Sequence, residues 1–255
     1  MRPGRPGVRF KSHVRAGFNL VELLVIIGIV GLLLALLLPA LSKAKATAKS
    51  AVCKSNLHQI GIALRMYLDD FQKYPSPPDS YSSLPFKNTE TRQRGWTLGL
   101  EPYVANEMKI FLCPEKDTPA VWVVEVGTGN RSSVALQGRY GYNAFGTGVY
   151  HPELNLGLGW GSQNGTNYVV RETTEATVKT PSELFAIGDA KGPLGIVISP
   201  IKTSVYLPSR RHNEGSNLVF CDSHVEYEKY GTLVEETEKS RVRWNNDNQP
   251  HRETW

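Results

Sequence analysis

The sequence predicts an α+β protein in which one long N-terminal helix packs on an antiparallel β-sheet head. Residues 16–41 form an apolar run, and the amphipathic segment that follows continues it. Its apolar side chains recur at three- and four-residue steps and are predicted to form one stripe that packs on the head: Ala44, Ala48, Val52, Leu57, Ile60, Leu64, Tyr67, Leu68 and Phe71. Strand-like runs follow at 120–126, 139–145, 167–170, 183–189, 195–199, 216–222 and 223–230. A helix first and strands afterwards is the order typical of α+β folds.

The apolar run is long enough to cross a membrane. Residues 23–41 carry no charged side chain and, as a helix, span roughly 28 Å, close to the thickness of the hydrocarbon core. Pro39 removes one backbone hydrogen bond, so a kink or local melting is expected there. A cleaved secretory signal peptide, cut near Ala46, is the alternative, but its apolar region is usually only 7–15 residues long.

The positive charge of the chain is concentrated before this run. The formal net charge is +5, and residues 1–17 contain five basic residues and no acid, so the remainder has 24 basic and 24 acidic residues. Basic residues beside a membrane span hold that end in the cytoplasm. The charge therefore indicates topology, with the head outside the cytoplasm, and not nucleic-acid binding.

Glu22 is the one charged residue within 16–41. A charge at the centre of a membrane helix costs roughly 2.5–3.5 kcal/mol unless it pairs or reaches the interface. A buried carboxylate and a buried ammonium are each unfavourable alone and tolerable together. Glu22 therefore requires a partner or a route to the membrane interface.

The segment Gly17-Phe18-Asn19-Leu20-Val21-Glu22 resembles the class III leader junction of type IV pilins and type II secretion pseudopilins. The resemblance implies that a prepilin peptidase cuts after Gly17 and methylates the new amine of Phe18. It also implies that Glu22 contacts the amine of a neighbouring subunit. Pro39 stands where many members of this family have a proline.

Further segments resemble a large bacterial group of pilin-like proteins with a C-terminal His-x9-Asp-Gly motif. Here His212 and Asp222 have that spacing, but Ser223 replaces the glycine. Glycine adopts the positive φ of a type I′ turn far more easily than serine, so the turn type stays open. The other similar segments are CKSNLHQIGIALRMYLDDFQKYP, LCPEKD, YGYN and TPSELFAIGD.

The C-terminal motif admits two interpretations. Asp222 and His224 would share one face of a continuous strand, the spacing of a metal pair, and with His212 they form the candidate centre of an enzyme. A hairpin at Asp222-Ser223 would instead make Asp222 a turn residue that binds its own backbone, and this structural interpretation is favoured.

Three cysteines allow at most one intramolecular disulfide. Cys53 and Cys113 are the candidate pair if the loop after the helix folds back, and two buried reduced thiols are the alternative. No cofactor is expected and the metal content is unknown. Calcium stabilises some type II pseudopilin heads, and oxygen ligands are available in the glycine-rich segment 143–165, which is predicted to be an irregular loop: Asn143, Glu153, Asn155 and Asn164.

The resulting hypothesis is a structural subunit without enzymatic activity. It is processed by prepilin peptidase, anchored in the bacterial inner membrane and assembled with other pilin-like subunits into a pseudopilus or type IV pilus-like filament. The rival is a membrane-tethered module that binds polysaccharide through Trp160 and Tyr168 without polymerising. The predicted segments are a cleaved leader (1–17), a transmembrane and assembly helix (18–41), its amphipathic continuation (42–70), the head (71–230) and a polar tail (231–255).

The tail contains two tryptophans, Trp244 and Trp255, among mostly polar residues. It is expected either to be a flexible end or to dock these aromatic side chains on a neighbouring surface.

Overall fold

The computed structural model describes residues 19–75, 96–105, 107–115, 140–164, 167–191, 198–204 and 206–254. Only the backbone is described for Leu98, Met108, Pro152, 160–164 and 167–171, so the side chains of Trp160 and Tyr168 lie outside the described part. It divides into two compact units, up to Lys45 and from Ala46 onward. The leader with Gly17 and Phe18, the predicted strand 120–126 and Trp255 lie outside the described residues.

The helices and strands follow the predicted order, helix first. The α-helices are α1 Leu20–Phe71, α2 Trp96–Leu100, α3 Tyr230–Leu233 and α4 Glu238–Arg241. The strands are β1 Tyr140–Tyr142, β2 Gly159–Asn164, β3 Asn167–Glu172, β4 Phe185–Asp189, β5 Gly215–Phe220 and β6 Val225–Lys229. Short 3-10 helices lie at Glu101–Val104, Met108–Phe111, Pro152–Leu154, Glu175–Thr177, Val242–Trp244 and Arg252–Thr254.

Helix α1 begins and ends within two residues of the predicted helix. It continues through Pro39 without interruption, so the helix does not melt there, and a kink stays a prediction. Leucine and alanine, both strong helix formers, surround the proline and maintain the helix on either side of the one lost hydrogen bond.

In the first unit, α1 buries none of its apolar side chains. Every described residue from Asn19 to Lys45 is exposed. One stretch of this helix is long and apolar enough to cross a membrane by length and composition, with a mean hydropathy of 3.0.

In the second unit, α1 buries one stripe against the head. The buried residues are Cys53, Leu57, Ile60, Gly61, Ala63, Leu64 and Leu68. The predicted stripe also contained Ala44, Ala48, Val52 and Phe71, and this part of the prediction is wrong because all four are exposed. Among the described residues of α1, the buried ones lie between Cys53 and Leu68.

The head contains a four-stranded sheet in the order β1-β4-β5-β6, antiparallel throughout. A second, two-stranded sheet pairs β2 with β3. Strand β2 was expected to be irregular, so that prediction is wrong. Ile198 and Ser199, the described residues of the predicted strand 195–199, lie outside the strands.

Both faces of the central strand β5 are covered, and all six of its residues are buried. Val219 belongs to a hydrophobic cluster with the α1 stripe, whereas Leu218 and Phe220 belong to a second cluster with Trp244. The ring centroids of Trp244 and Phe185 are 5.0 Å apart. The segment after β6 is therefore a third layer of the head, and Trp244 is not a flexible or outward-facing aromatic residue.

Candidate functional site

Glu22 closes the N-terminus of α1. The backbone N–H of Asn19 donates to Glu22 Oε2 at 3.1 Å, and the backbone N–H of Val21 donates to Asn19 Oδ1 at 3.2 Å. This reciprocal pair is a variant of the capping box in which the Asn19 side chain accepts from the second helical N–H, and its sequence pattern is Asn-x-x-Glu. In the isolated chain the carboxylate thus has a local role.

The apolar surface around Glu22 is continuous along the helix. The exposed large apolar side chains of this segment are Leu20, Val21, Leu23, Leu24, Val25, Ile26, Ile27, Ile29, Val30, Leu32, Leu33, Leu34, Leu36, Leu37, Leu38 and Leu41. Soluble monomers rarely expose a contiguous patch of this extent, which marks a surface that is covered by lipid or by protein.

The residues of the C-terminal motif do not form one site. His212 precedes β5 and Asp222 follows it, so the two lie at opposite ends of a six-residue strand, roughly 20 Å apart. Asp222 Oδ1 accepts a hydrogen bond from the backbone N–H of His224 and lies 2.5 Å from His224 Nδ1. The His224 ring stacks on Phe220. The hypothesis of an enzyme or metal centre containing all three residues is therefore wrong.

The turn between β5 and β6 is a three-residue loop. The N–H of Ser223 donates to the carbonyl of Phe220, and the N–H of Phe220 donates to the carbonyl of His224. Ser223 has a φ of +78°, the left-handed conformation that closes such loops, so the turn is not a two-residue type I′ turn. The Ser223 hydroxyl donates to the carbonyl of Gly61 at 2.8 Å, which attaches the hairpin to α1.

His212 instead lies in a buried cluster with Cys53, Cys113 and Asp189. The ligand atoms of the four side chains all lie within 4.8 Å of one another, and all four residues are buried. The Sγ of Cys53 is 3.3 Å from Asp189 Oδ1, and the Sγ of Cys113 is 3.3 Å from His212 Nε2. His212 Nε2 is also 3.4 Å from Asp189 Oδ2. Cys53 and Cys113, the candidate disulfide pair, are brought together here as free thiols.

Four separate segments position this cluster. Cys53 lies on α1, and Cys113 follows the 3-10 helix Met108–Phe111 in a segment attached to α1 through a hydrogen bond from Asn56 Nδ2 to the carbonyl of Leu112. Asp189 is the last residue of β4. His212 precedes a tight turn in which Asn213 and Glu214 both have positive φ and which bridges His212 to Gly215.

Burial and mutual contact perturb the titration of the cluster. Burial raises the pKa of the Cys53 thiol. Hydrogen bonds from Cys53 and, to a smaller extent, from His212 lower the pKa of Cys113 to about 6. Burial disfavours the charged form of His212, but its contacts with Asp189 and Cys113 raise its pKa to about 9. The cluster therefore favours an anionic sulfur at Cys113.

Sequence reasoning identified three members of this cluster for other reasons and missed Asp189. The segment TPSELFAIGD, which ends at Asp189, resembles a family segment, but that resemblance assigns Asp189 no role. No spacing in the sequence connects Asp189 to Cys53, Cys113 or His212. The one local signal was an acidic residue at the end of a buried apolar strand, where an unpaired carboxylate is unfavourable.

The residues considered for calcium have different environments. Asn143 is buried and uses its amide within the head, donating to the carbonyls of Phe185 and Trp244. Glu153 is exposed and lies 3.3 Å from His151 Nδ1. The side chain of Asn164 lies outside the described residues. Calcium binding stays a prediction.

Part of the chain is similar to a known protein. Over 83 residues the chain is 35% identical to the type II secretion system core protein G of Pseudomonas aeruginosa. The chain is similar to a type II secretion protein. The match covers 32% of this chain and 58% of the length of that relative.

Residues 42–107 also match the model of SBP_bac_10, a family described as a protein of unknown function (DUF1559). That range contains neither Glu22 nor His212. No solved structure matches the chain. The layout of a long apolar N-terminal helix followed by a four-stranded antiparallel sheet is pilin-like, and together with the similarity to core protein G it fits a membrane-anchored chain.

Proposed function

We propose that this chain is a pilin-like structural subunit that assembles with other such subunits into a type II secretion pseudopilus or a type IV pilus-like filament. The observation that carries the proposal is the fully exposed apolar segment of α1, interrupted only by the Glu22 carboxylate. In the bilayer, lipid would cover this segment, and in a filament the equivalent helices of neighbouring subunits would replace the lipid. The similarity to core protein G supports this proposal.

The proposal includes maturation and orientation. Prepilin peptidase would remove residues 1–17 and methylate Phe18, and the basic leader would hold the N-terminus in the cytoplasm. The anchor would cross the bacterial inner membrane once, with the head on the extracytoplasmic side. Neither catalysis nor a cofactor is needed for this role.

Glu22 has a specific part in this proposal. A carboxylate has about four acceptor sites, so the hydrogen bond from Asn19 leaves capacity for a second donor. The amine of a neighbouring subunit is the partner whose charge would compensate the buried carboxylate. Such a pair would favour one axial register between subunits.

The processing step is tested by intact mass and N-terminal sequencing of protein extracted from membranes. The expected N-terminus is methylated Phe18. Retention of Met1, or a cut near Ala46, contradicts the proposal.

The assembly step is tested by Glu22→Gln beside Glu22→Ala. Glutamine keeps the hydrogen-bonding role of the capping box but removes the charge, whereas alanine removes both. We expect both variants to be processed and inserted normally and both to lose filament incorporation, measured by crosslinking and by recovery of sheared filaments.

If Glu22→Gln assembles like the parent protein, the carboxylate acts only as a cap and the charge-pair proposal is wrong. If both variants function normally and the chain never polymerises, a tethered binding module is the better explanation.

A further inference from the structure

We propose that Cys53, Cys113, Asp189 and His212 bind one structural Zn²⁺ ion inside the head. The proposal depends on four ligand-bearing side chains that converge from distant parts of the chain. It does not depend on filament assembly, because all four lie in the unit that begins at Ala46.

The distances within the cluster fit a tetrahedral ion. Bond lengths of about 2.3 Å to sulfur and 2.0–2.2 Å to nitrogen or oxygen place tetrahedral ligand atoms about 3.3–3.8 Å apart. With Asp189 Oδ2 as the ligand oxygen, the Cys53 Sγ–Asp189 Oδ2, Cys113 Sγ–His212 Nε2 and His212 Nε2–Asp189 Oδ2 distances are 3.5, 3.3 and 3.4 Å. Binding of the ion therefore requires shifts of only a few tenths of an ångström along these three edges.

The chemistry of the donors also fits zinc. Two thiolates, one imidazole and one carboxylate are all ligands that Zn²⁺ accepts, and four protein ligands leave no open position, as in structural sites. Calcium and magnesium prefer oxygen ligands in larger numbers, so this set of donors disfavours them.

The surroundings supply outer contacts and balance the charge. The Tyr140 hydroxyl donates to Cys53 Sγ at 3.3 Å, and the backbone N–H of Asn217 donates to Asp189 Oδ2 at 2.8 Å. Arg211 Nη1 lies 3.6 Å from Asp189 Oδ1. Two thiolates and one carboxylate carry three negative charges, which Zn²⁺ and the Arg211 guanidinium together neutralise. Outer contacts of this kind orient metal ligands.

A catalytic Cys-His-Asp triad fits the same residues less well. In a triad the carboxylate binds one imidazole nitrogen and the nucleophile binds the other. Here Cys113 Sγ and Asp189 Oδ2 both approach the same nitrogen, His212 Nε2. All four side chains are buried, which leaves a substrate no access, whereas convergence on a common point is the geometry of metal ligands.

Metal analysis of the full chain, extracted in detergent without chelator and with a phosphine reductant, tests the proposal. We expect about one zinc per chain. After chelation, added Co²⁺ should give the thiolate-to-cobalt charge-transfer band and the intense d–d absorption of a tetrahedral site. A folded chain that shows neither zinc nor these bands overturns the proposal.

Substitutions locate the ion. Cys53→Ser and Cys113→Ser should each weaken Co²⁺ affinity at least about 100-fold and lower the intensity of the charge-transfer band, because one of two thiolate ligands is lost. Tyr140→Phe should weaken the affinity about tenfold. Cys221→Ser is the matched control, because Cys221 is the third buried cysteine and lies outside the cluster, so its Co²⁺ spectrum should be unchanged.

Two results contradict this assignment. One is equal loss of metal in Cys53→Ser and Cys221→Ser. The other is a Cys53–Cys113 disulfide in protein that is purified without reductant, together with a failure of that protein to bind metal after the disulfide has been reduced. The parent spectrum decides the question even if a ligand variant fails to fold.

Discussion

The two parts of helix α1 have the same backbone conformation but opposite surroundings. From Leu20 to Leu41 nearly every residue is apolar and every one is exposed. From Cys53 to Leu68 one stripe of the helix is buried, whereas Ile62 and Met66 on its other side are exposed. Helix propensity explains both parts as helix, but it does not explain this difference. The difference comes from what covers each part. The sheet and its loops pack on the second part, whereas no described residue of the chain buries the first.

Substitutions in the two parts should therefore affect different properties. In the second part, apolar contacts contribute to the free energy of unfolding of the head. In the first part they contribute to partition into the membrane and to contacts between subunits. Matched substitutions of the same residue type separate these roles.

The largest expected difference is between Leu64→Ala and Leu34→Ala. Leu64 is completely buried, so its truncation should lower the free energy of unfolding of the head by about 3 kcal/mol through lost burial and a new cavity. Leu34 is 48% exposed, and its truncation should change that value by less than about 0.5 kcal/mol. Denaturant unfolding of the detergent-extracted chain, followed by tryptophan fluorescence, measures both. Equal effects would show that the two parts do not differ as described.

A smaller difference is expected between Gly61→Ala and Gly31→Ala. A Cβ atom at Gly61 would lie 2.7 Å from Val219 Cγ2 and 3.1 Å from the carbonyl oxygen of Ser223. Overpacking costs about 1–3 kcal/mol, and the better helix propensity of alanine offsets about 1 kcal/mol, so a net loss of about 1 kcal/mol is expected. A Cβ atom at Gly31 would have no described atom within 4 Å apart from the neighbouring backbone of its own helix, so the head should lose no stability.

A double-mutant cycle with Val219→Ala identifies the cause of the loss at Gly61. Removing Cγ2 should make Gly61→Ala less destabilising in the Val219→Ala background than in the parent chain. Strict additivity would show that the close contact with Val219 is not responsible.

Much of the fold could be predicted because the relevant signals are local. The apolar run and the three- and four-residue steps of Leu57, Ile60, Leu64 and Leu68 predicted α1, and alternating or continuous apolar runs predicted β1 and β3 to β6. Strand β2 was missed because its sequence, GWGSQN, is poor in strand-forming residues. Its partner β3 stabilises it, and the register leaves only two positions between the strands. The sequence there, Gly165-Thr166, is of the Gly-X type that favours a two-residue hairpin, a signal that the prediction of an irregular loop over 143–165 did not use.

The parts that could not be predicted depend on contacts between distant residues. Trp244 lies in a polar segment of the sequence. It is buried because it packs on the face of β4 and β5 that carries Phe185 and Phe220. Asp189 joins Cys53 across 136 positions of sequence, and no periodic pattern encodes that distance. The capping box at Asn19 and Glu22, in contrast, was a local signal, which the membrane interpretation of Glu22 obscured.

The smallest effect is expected at Ser223, which attaches the β5–β6 hairpin to the packed part of α1. Ser223→Ala removes the hydrogen bond to the Gly61 carbonyl but keeps a Cβ atom at φ +78°, so it should destabilise the head by about 1 kcal/mol. Ser223→Gly loses the same hydrogen bond but relieves the left-handed strain of about 1 kcal/mol, so it should be nearly neutral. In denaturant unfolding, the Ser223→Gly variant should therefore have a larger free energy of unfolding than the Ser223→Ala variant. This is the reverse of the usual order, in which glycine is the more destabilising of the two residues. An alanine variant as stable as the glycine variant would show that the loop does not impose a positive φ on residue 223. The serine would then serve the hairpin only through its hydroxyl.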